Sequence, residues 1–381
     1  MADSNNLKNI EKTLPSYFYY DRSFFNDELE KIWNRSWIYV CHVSNLKDKL
    51  SFKTLKIGFQ SLIILRDRND NINAFINTCR HRGSILCDSS SGKLASNLLV
   101  CPYHQWSYNV ADGSLKKTSS FNEPEGFDKS AFSLFRLKVH IWRGCIFINL
   151  KNDAEWNLQN VFPRPTDNLI NFPLENMISA HTWVKEIKCN WKIFWENFNE
   201  CLHCPNIHPE LSELVPVFKR RIMNIKDHPN WAQNYNEEDP KFSGGLRKNA
   251  QTWSNDGSAQ GNIISNLNED DIQKGHSYSS SWPSVFIGAY ADHIRIVRVL
   301  PKGPETVELV SEWLFQKETL DDKNYNVDNV INFACKVMEQ DAEVCELNQK
   351  GIYASQYKEG VLMPEEYLVK KFHDWIREKL K

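Results

Sequence analysis

Two short stretches of the chain pair side chains that could bind metal. Residues 79–87 read CRHRGSILC and residues 101–104 read CPYH, so Cys79 comes ahead of His81 and Cys101 ahead of His104. Four such ligands could hold a tetrahedral zinc ion. The repeated order, cysteine first and histidine second, favours a two-iron cluster in which one iron takes both thiolates and the other both imidazoles. Cys87 has no histidine at the matching offset and reads as a buried thiol. Further on, WENFNECLHCPNIHPEL at 195–211 carries His203 and His208. Five residues apart on an ideal helix, these would point about 140° apart, so a break near Pro205 is needed to aim both at one ion. Glu200, three before His203, would share its helical face. Two histidines need a carboxylate to complete a facial triad that leaves coordination positions open. The stretch MEQDAEVCELNQKG offers Glu339, Asp341, Glu343 and Glu346, and periodicity does not choose among them. Cys201 and Cys204 are placed on other faces than His203 and lack a second cysteine pair, which argues against a redox or zinc CxxC site.

The elements that must position these groups fall into two textures. Residues 17–40 place Phe24, Leu29, Ile32 and Trp33 at roughly helical spacing ahead of a β-like ending. From 50 to 150, short apolar runs such as SLIILRD and VHIWRGCIFINL alternate with turn sequences such as RDRNDN and ADGS, which predicts a compact all-β domain. Prolines and asparagines over 154–180 suit a domain border near 155. Beyond it, HTWVKEIKCN reads as a strand, WKIFWENFNECLHCPNIH as a helix and 225–280 as a polar excursion. DHIRIVRVLP and ETVELVSEWLF read as paired strands, and 326–350 and 363–380 as helices. The fold class is α+β, and the divisions are 1–44, 45–155 and 156–381.

Bulk properties set limits. A chain of 381 residues is expected to form two domains. With 46 basic against 48 acidic residues, nothing draws the whole chain to nucleic acid or an anionic membrane. The first twenty residues lack the apolar stretch of a secretory signal and no run is long enough to span a bilayer, so a cytoplasmic location is expected. Ten cysteines scattered over such a length read as buried thiols or metal ligands rather than a disulfide framework. No glycine-rich phosphate loop is present, so no dinucleotide site of that kind is expected.

CRHRG together with CPYHQWSY resembles the Rieske signature, and over nearly its whole length the chain resembles the Rieske-type non-haem iron oxygenases. That resemblance implies an all-β Rieske iron-sulfur domain at 45–155 and a helix-covered antiparallel-sheet catalytic domain at 156–381, with 1–44 packing on the latter. Cys79 and Cys101 would bind the inner iron of a [2Fe-2S] cluster, and His81 and His104 the outer one, with Arg80 and Arg82 suiting its negative charge. The spacing of 19 residues between His81 and Cys101 is slightly long for the family, and Gln105 stands where many relatives have glycine. Glu200, His203 and His208 match the family's second motif at every spacing. The acidic residue ahead of its Asn/Gln-x-Gly ending selects Asp341 as third ligand of a mononuclear Fe(II). Glu200 would bridge His104 of one subunit of a ring-shaped homotrimer and His203 of the next, and Asn197 would stand near the iron.

ENFNECLHCPNIHPEL, DHIRIVRVLPKGPETVELVSEWLF and CELNQKGIYASQY are similar to the branch acting on glycine betaine, choline and carnitine. A trimethylammonium group keeps its charge and has no N–H to donate, so aromatic faces are its natural receptor. Among the chain's 13 tryptophans and its other rings, Trp253, Trp282, Phe286 and Tyr290 fall in the pocket-lining region of such proteins. QTWSNDG at 251–257 departs from the closest betaine pattern. The implied reaction uses O2 and electrons from a separate NAD(P)H reductase of flavin or ferredoxin type to hydroxylate an N-methyl group, releasing formaldehyde. Carnitine-type C–N cleavage, aromatic ring dihydroxylation, a Rieske electron carrier without catalysis and a zinc-binding module are the alternatives.

Overall fold

The computed structural model describes residues 5–163 and 166–381, so the first four residues of the N-terminal segment lie outside it. It forms two units: Trp33–Val161, and a second one made of the chain up to Ile32 together with the chain from Phe162 onward.

The first unit holds ten short strands: β1 (Ile38–His42), β2 (Ser51–Ile57), β3 (Gln60–Arg66), β4 (Ile72–Ile76), β5 (Ser91–Lys93), β6 (Leu98–Val100), β7 (Ser107–Asn109), β8 (Leu115–Lys117), β9 (Lys138–Trp142) and β10 (Cys145–Asn149). They assemble into three sheets ordered β4-β3-β2-β5, β6-β7-β8 and β9-β10-β1. In β3 the run Leu62–Leu65 is buried without alternation, as a strand covered on both faces requires. Ile63, Leu65, Phe75, Leu99, Trp106, Tyr108 and Leu115 form one core with Cys79 and Cys101. Residues 38–42, which take in the β-like ending of 17–40 and were divided off with 1–44, form a strand that pairs with β10 of the first unit. All five are buried although the strand stands at the edge of its three-stranded sheet.

The second unit is built on a five-stranded antiparallel sheet of β11 (Ile178–Ile187), β12 (His276–Ser281), β13 (Val285–Tyr290), β14 (Ile294–Gly303) and β15 (Thr306–Phe315), in the order β11-β15-β14-β13-β12. The helices that concern the site are α1 (Arg22–Lys31), α2 (Trp191–Phe198), α3 (Cys204–Ile207), α4 (Pro209–Leu214), α5 (Val327–Ile352) and α6 (Tyr367–Leu380). Val330, Ile331 and Ala334 of α5 pack on Trp313 and Phe315 of β15. Asp21 caps α1, accepting from Phe24 N at 2.8 Å. That helix buries Phe25, Glu28 and Leu29 rather than Phe24. Glu28 is fully buried because Lys192 Nζ reaches it at 2.5 Å and Trp191 Nε1 donates at 3.0 Å.

The 225–280 region is more ordered than its polar composition suggests. It contains buried Trp253 and Ile264 and all but the last residue of β12. Buried Asp292 ties it to the sheet by accepting from Thr252 Oγ1 at 2.5 Å and from Gln260 N at 2.6 Å.

Candidate metal centres and their surroundings

In the first unit the two ligand loops share one backbone design. Gly83 N donates to Cys79 O at 3.0 Å and Gln105 N to Cys101 O at 2.9 Å, while Cys79 N donates to Ser84 O and Cys101 N to Trp106 O, both at 2.8 Å. Closing each loop needs a left-handed residue, supplied by Gly83 at φ 79° and by Gln105 at φ 58°. Both cysteines are buried, His81 is exposed and His104 is half-buried, with the two imidazole rings 4.8 Å apart between centroids. This donor set fits a two-iron cluster with its thiolate-bound iron inside and its imidazole-bound iron outward.

The sulfurs are provided with hydrogen-bond donors. Backbone N–H groups of Tyr103 and His104 point at Cys101, and that of His81 at Cys79. The Tyr108 hydroxyl accepts from Arg80 N at 3.0 Å, which leaves its proton for Cys79 Sγ at 3.2 Å. The arginines are otherwise engaged: Arg80 Nη1 donates to Ser133 O at 2.8 Å with its guanidinium 4.0 Å over Phe135, and Arg82 lies over Tyr103. Burial pushes the Cys87 thiol up to about 11, as an inert thiol requires.

In the second unit α2 ends at Phe198, and residues 199–203 form a turn rather than the continued helix the sequence suggested. Glu200 therefore reaches His203 across a turn: His203 Nδ1–H donates to Glu200 Oε1 at 2.5 Å, and the other carboxylate oxygen accepts from Leu202 N. Pro205 sits in the first turn of α3 instead of breaking it. The break falls at His208, at φ −121° and ψ 65°, where the following Pro209 disfavours helical backbone. Freed from the helix, His208 swings its ring to within 5.3 Å of the His203 ring.

Asp341 of α5 is the carboxylate brought to this pair. Its Oδ1 is 2.8 Å from His208 Nε2 and 3.5 Å from His203 Nε2, and one ligand atom from each of the three residues lies within 4.8 Å of the others. Glu339 instead pairs with Lys185, Glu346 accepts from Lys188 N and Glu343 faces outward. Burial pulls the His203 imidazole down, but hydrogen bonds and charge from Asp341 and Glu200 outweigh it and hold it at about 10. Burial likewise raises Asp341, and its two histidine partners bring it back to about 2. Two imidazoles and one carboxylate, ready to trade protons for a cation, are the donor set of non-haem Fe(II).

The second histidine has a support that sequence reasoning missed. His208 Nδ1–H donates to Gln340 Oε1 at 2.7 Å, and Gln340 Nε2 donates to Glu210 Oε1 at 2.8 Å, which fixes the amide orientation and leaves His208 Nε2 for a metal. The only sequence signal was the need of any ligating histidine for such a partner.

Cys201 and Cys204 are joined by a disulfide, against the expectation that they form no redox CxxC pair. The turn at 199–203 replaces the helical faces assumed for them, a lone pair needs no second one to form a disulfide, and both residues enter an apolar cluster with Leu211, Val215 and Phe218.

Of the four pocket aromatics, Trp253 and Tyr290 come together at 5.2 Å between centroids, joined by Tyr278 at 5.8 Å from Trp253. Tyr278 and Tyr290 share a hydroxyl–hydroxyl hydrogen bond of 2.9 Å, and Asp341 acts electrostatically on the Tyr278 phenol. Phe286 stacks on Phe198 at 4.1 Å. Trp282 does not join this group; it packs on Phe372 and Trp375, the aromatic stripe of α6. Asn197, Glu200 and His203 line a cavity of about 280 Å³ together with Glu196 and His373.

Residues 174–381 match the ring hydroxylating alpha subunit (catalytic domain) family, and residues 36–130 the Rieske [2Fe-2S] domain. The glycine betaine monooxygenase oxygenase subunit of Chromohalobacter salexigens is 28% identical over 98% of this chain and 87% of its own length. The carnitine monooxygenase oxygenase subunit of Acinetobacter pittii is 34% identical over 58% of this chain and 59% of its own length. The crystal structure of the quaternary ammonium Rieske monooxygenase CntA in complex with L-carnitine superposes with a TM-score of 0.70 at 22% identity, covering 98% of this chain and 96% of that one.

Proposed function

The chain belongs to the ring-hydroxylating alpha-subunit family of Rieske non-haem iron oxygenases, and on that premise we propose that it hydroxylates an N-methyl group of a quaternary ammonium compound of the glycine betaine type. A Rieske [2Fe-2S] cluster and a mononuclear iron are its cofactors, the one relaying electrons singly and the other binding and activating O2. As an oxygenase component it takes those electrons from a separate reductase. Cys79, His81, Cys101 and His104 would hold the cluster, and His203, His208 and Asp341 the iron.

The chain's own residues support the rest of this reading. Glu200 holds the Nδ1 proton of His203, so Nε2 would be the nitrogen that holds the iron, and the same carboxylate is the entry point we assign to electrons arriving from a second copy in a homotrimer. Asn197 lines the same cavity as Glu200 and His203, which supports its place near the iron. The observation that carries the substrate class is the group of Trp253, Tyr278 and Tyr290, whose phenol at Tyr278 lies in the field of Asp341. Ring faces attract a cation that has no proton to donate. Insertion of oxygen into a methyl C–H bond, with two electrons and two protons reducing the second oxygen atom to water, gives an N-hydroxymethyl cation. That cation loses its hydroxyl proton and splits into formaldehyde and the tertiary amine. Among the described residues no helix is long and apolar enough to cross a membrane.

The test is formaldehyde and trimethylamine release by the iron-loaded protein with NADH and a surrogate reductase, offered glycine betaine, carnitine and choline. Formaldehyde in step with O2 consumption is expected. Trimethylamine would instead show C–N cleavage, and silence with both centres intact would remove the quaternary ammonium reading.

A further inference from the structure

Arg295 lies on β14 near the middle of the sheet and is 5% exposed. In register across four strands stand Tyr278, Gly288, Arg295 and Trp313, so their side chains share one face, with Tyr290 two positions along β13 on that same face. A guanidinium offers five N–H donors and accepts nothing. Here Nε donates to Ser311 Oγ at 2.9 Å, while Nη2 has no hydrogen-bond partner, and no carboxylate among the described residues is ion-paired with Arg295. Its neighbours are the rings of Trp313 at 5.6 Å and Phe286 at 5.9 Å. Ring faces offset only part of what it takes to bury a full charge, and the two uses of a buried arginine that recover the rest are a carboxylate and a phosphate.

The setting connects this charge to the reaction site. Tyr278 and Tyr290 pack in one cluster with Phe333 and Val337 of α5, the helix that carries Asp341, and Tyr278 lies in the fields of both Arg295 and Asp341. Gly288, opposite Arg295, lets the two phenols close over the strand: a Cβ there would come within 2.6 Å of the Tyr290 hydroxyl and 3.0 Å of the Tyr278 ring. The two hydroxyls thus meet beside the guanidinium, which engages the Tyr290 hydroxyl and leaves Nη2 without an acceptor.

We propose that Arg295 binds the carboxylate of the substrate while Trp253, Tyr278 and Tyr290 face its quaternary nitrogen. The substrate class is then a zwitterionic quaternary ammonium acid rather than an amino alcohol such as choline. The inference deepens the quaternary ammonium reading and rests on it for the cationic half only.

The test compares the iron-loaded holoprotein and its Arg295→Met and Arg295→Lys variants on glycine betaine, choline and benzoate. Wild type is expected to favour glycine betaine over choline in kcat/KM by about tenfold or more, and Arg295→Met to erase that preference, mainly through KM, with partial recovery in Arg295→Lys. Without substrate, Arg295→Met should unfold at a higher temperature than wild type, because an unpaired buried charge has gone, and should no longer gain stability from glycine betaine. Cluster absorbance and iron content report whether each variant is folded. Choline handled as well as glycine betaine by wild type would overturn the assignment while leaving the quaternary ammonium reading intact. So would a variant less stable than wild type that loses both substrates alike, since that is the mark of a structural arginine. Turnover of benzoate alone would keep Arg295 as the anion receptor and remove the quaternary ammonium reading, and failure to bind any of the carboxylates would remove the role of Arg295.

Discussion

His208 depends on Gln340 for its tautomer, and Gln340 depends on Glu210 for its orientation. Gln340→Leu should therefore lower iron affinity by about 10- to 100-fold while sparing the cluster, read as iron retained after dialysis against chelator. Glu200→Gln should keep both centres but stop turnover, because an amide holds His203 less firmly and carries no charge; loss of iron from this variant would make Glu200 part of the iron site instead. A third residue bears on pH. His276 stands among Trp253, Tyr278 and Phe218, and burial pushes it down to about 4. The unfolded chain then binds a proton that the folded chain refuses between about pH 6.5 and 4, so stability falls as pH is lowered through that window, by on the order of 3 kcal/mol from this group. Acid titration of the melting temperature should flatten across that window in His276→Phe.

The two cluster loops are built alike except at their left-handed residue. Gly83 adopts φ 79° without strain, whereas Gln105 carries a side chain at φ 58°. Gln105→Gly should stabilise the first unit by about 1 kcal/mol, since left-handed backbone disfavours a Cβ by roughly that amount, and should leave the cluster spectrum unchanged. Legibility in the sequence followed the same physics of spacing. DHIRIVRVLP and ETVELVSEWLF alternated and were followed by paired β14 and β15. The ligand loops were legible because ligand chemistry restricts residue type at fixed intervals. What stayed hidden was set by the third dimension: the end of helix at Phe198, the pairing of Cys201 with Cys204 and the departure of Trp282 toward α6. Phe194 and Phe198 ahead of the real break and Leu202 beyond it satisfied one helical pattern. Arg295 stayed hidden too, since alternation assigns it to a face without saying that its guanidinium lacks a partner.

On the scale of the whole molecule, the second unit is assembled from two stretches of chain that flank the first. Their tie is the buried pair of Glu28 on α1 and Lys192 on α2, in which burial raises the acid and lowers the amine while each opposes the other's shift. Glu28→Ala leaves Lys192 buried without a counter-charge and should cost about 3–5 kcal/mol in denaturant unfolding. Glu28→Leu combined with Lys192→Met should recover most of it, because two apolar side chains leave no charge to desolvate. If the double variant is as unstable as the single one, the pair contributes more than mutual neutralisation.

That tie also places a clock on synthesis. Glu28 leaves the ribosome 164 residues before its partner. At about 5–20 residues per second, α1 waits roughly 10 to 30 seconds with its apolar face and its carboxylate unclaimed, while the intervening unit emerges and folds ahead of it. Nascent chains arrested before residue 192 should be nicked by protease near α1, and chains arrested beyond the β15 strand should be protected there, so α1, made before its partner, is among the last helices to find its place.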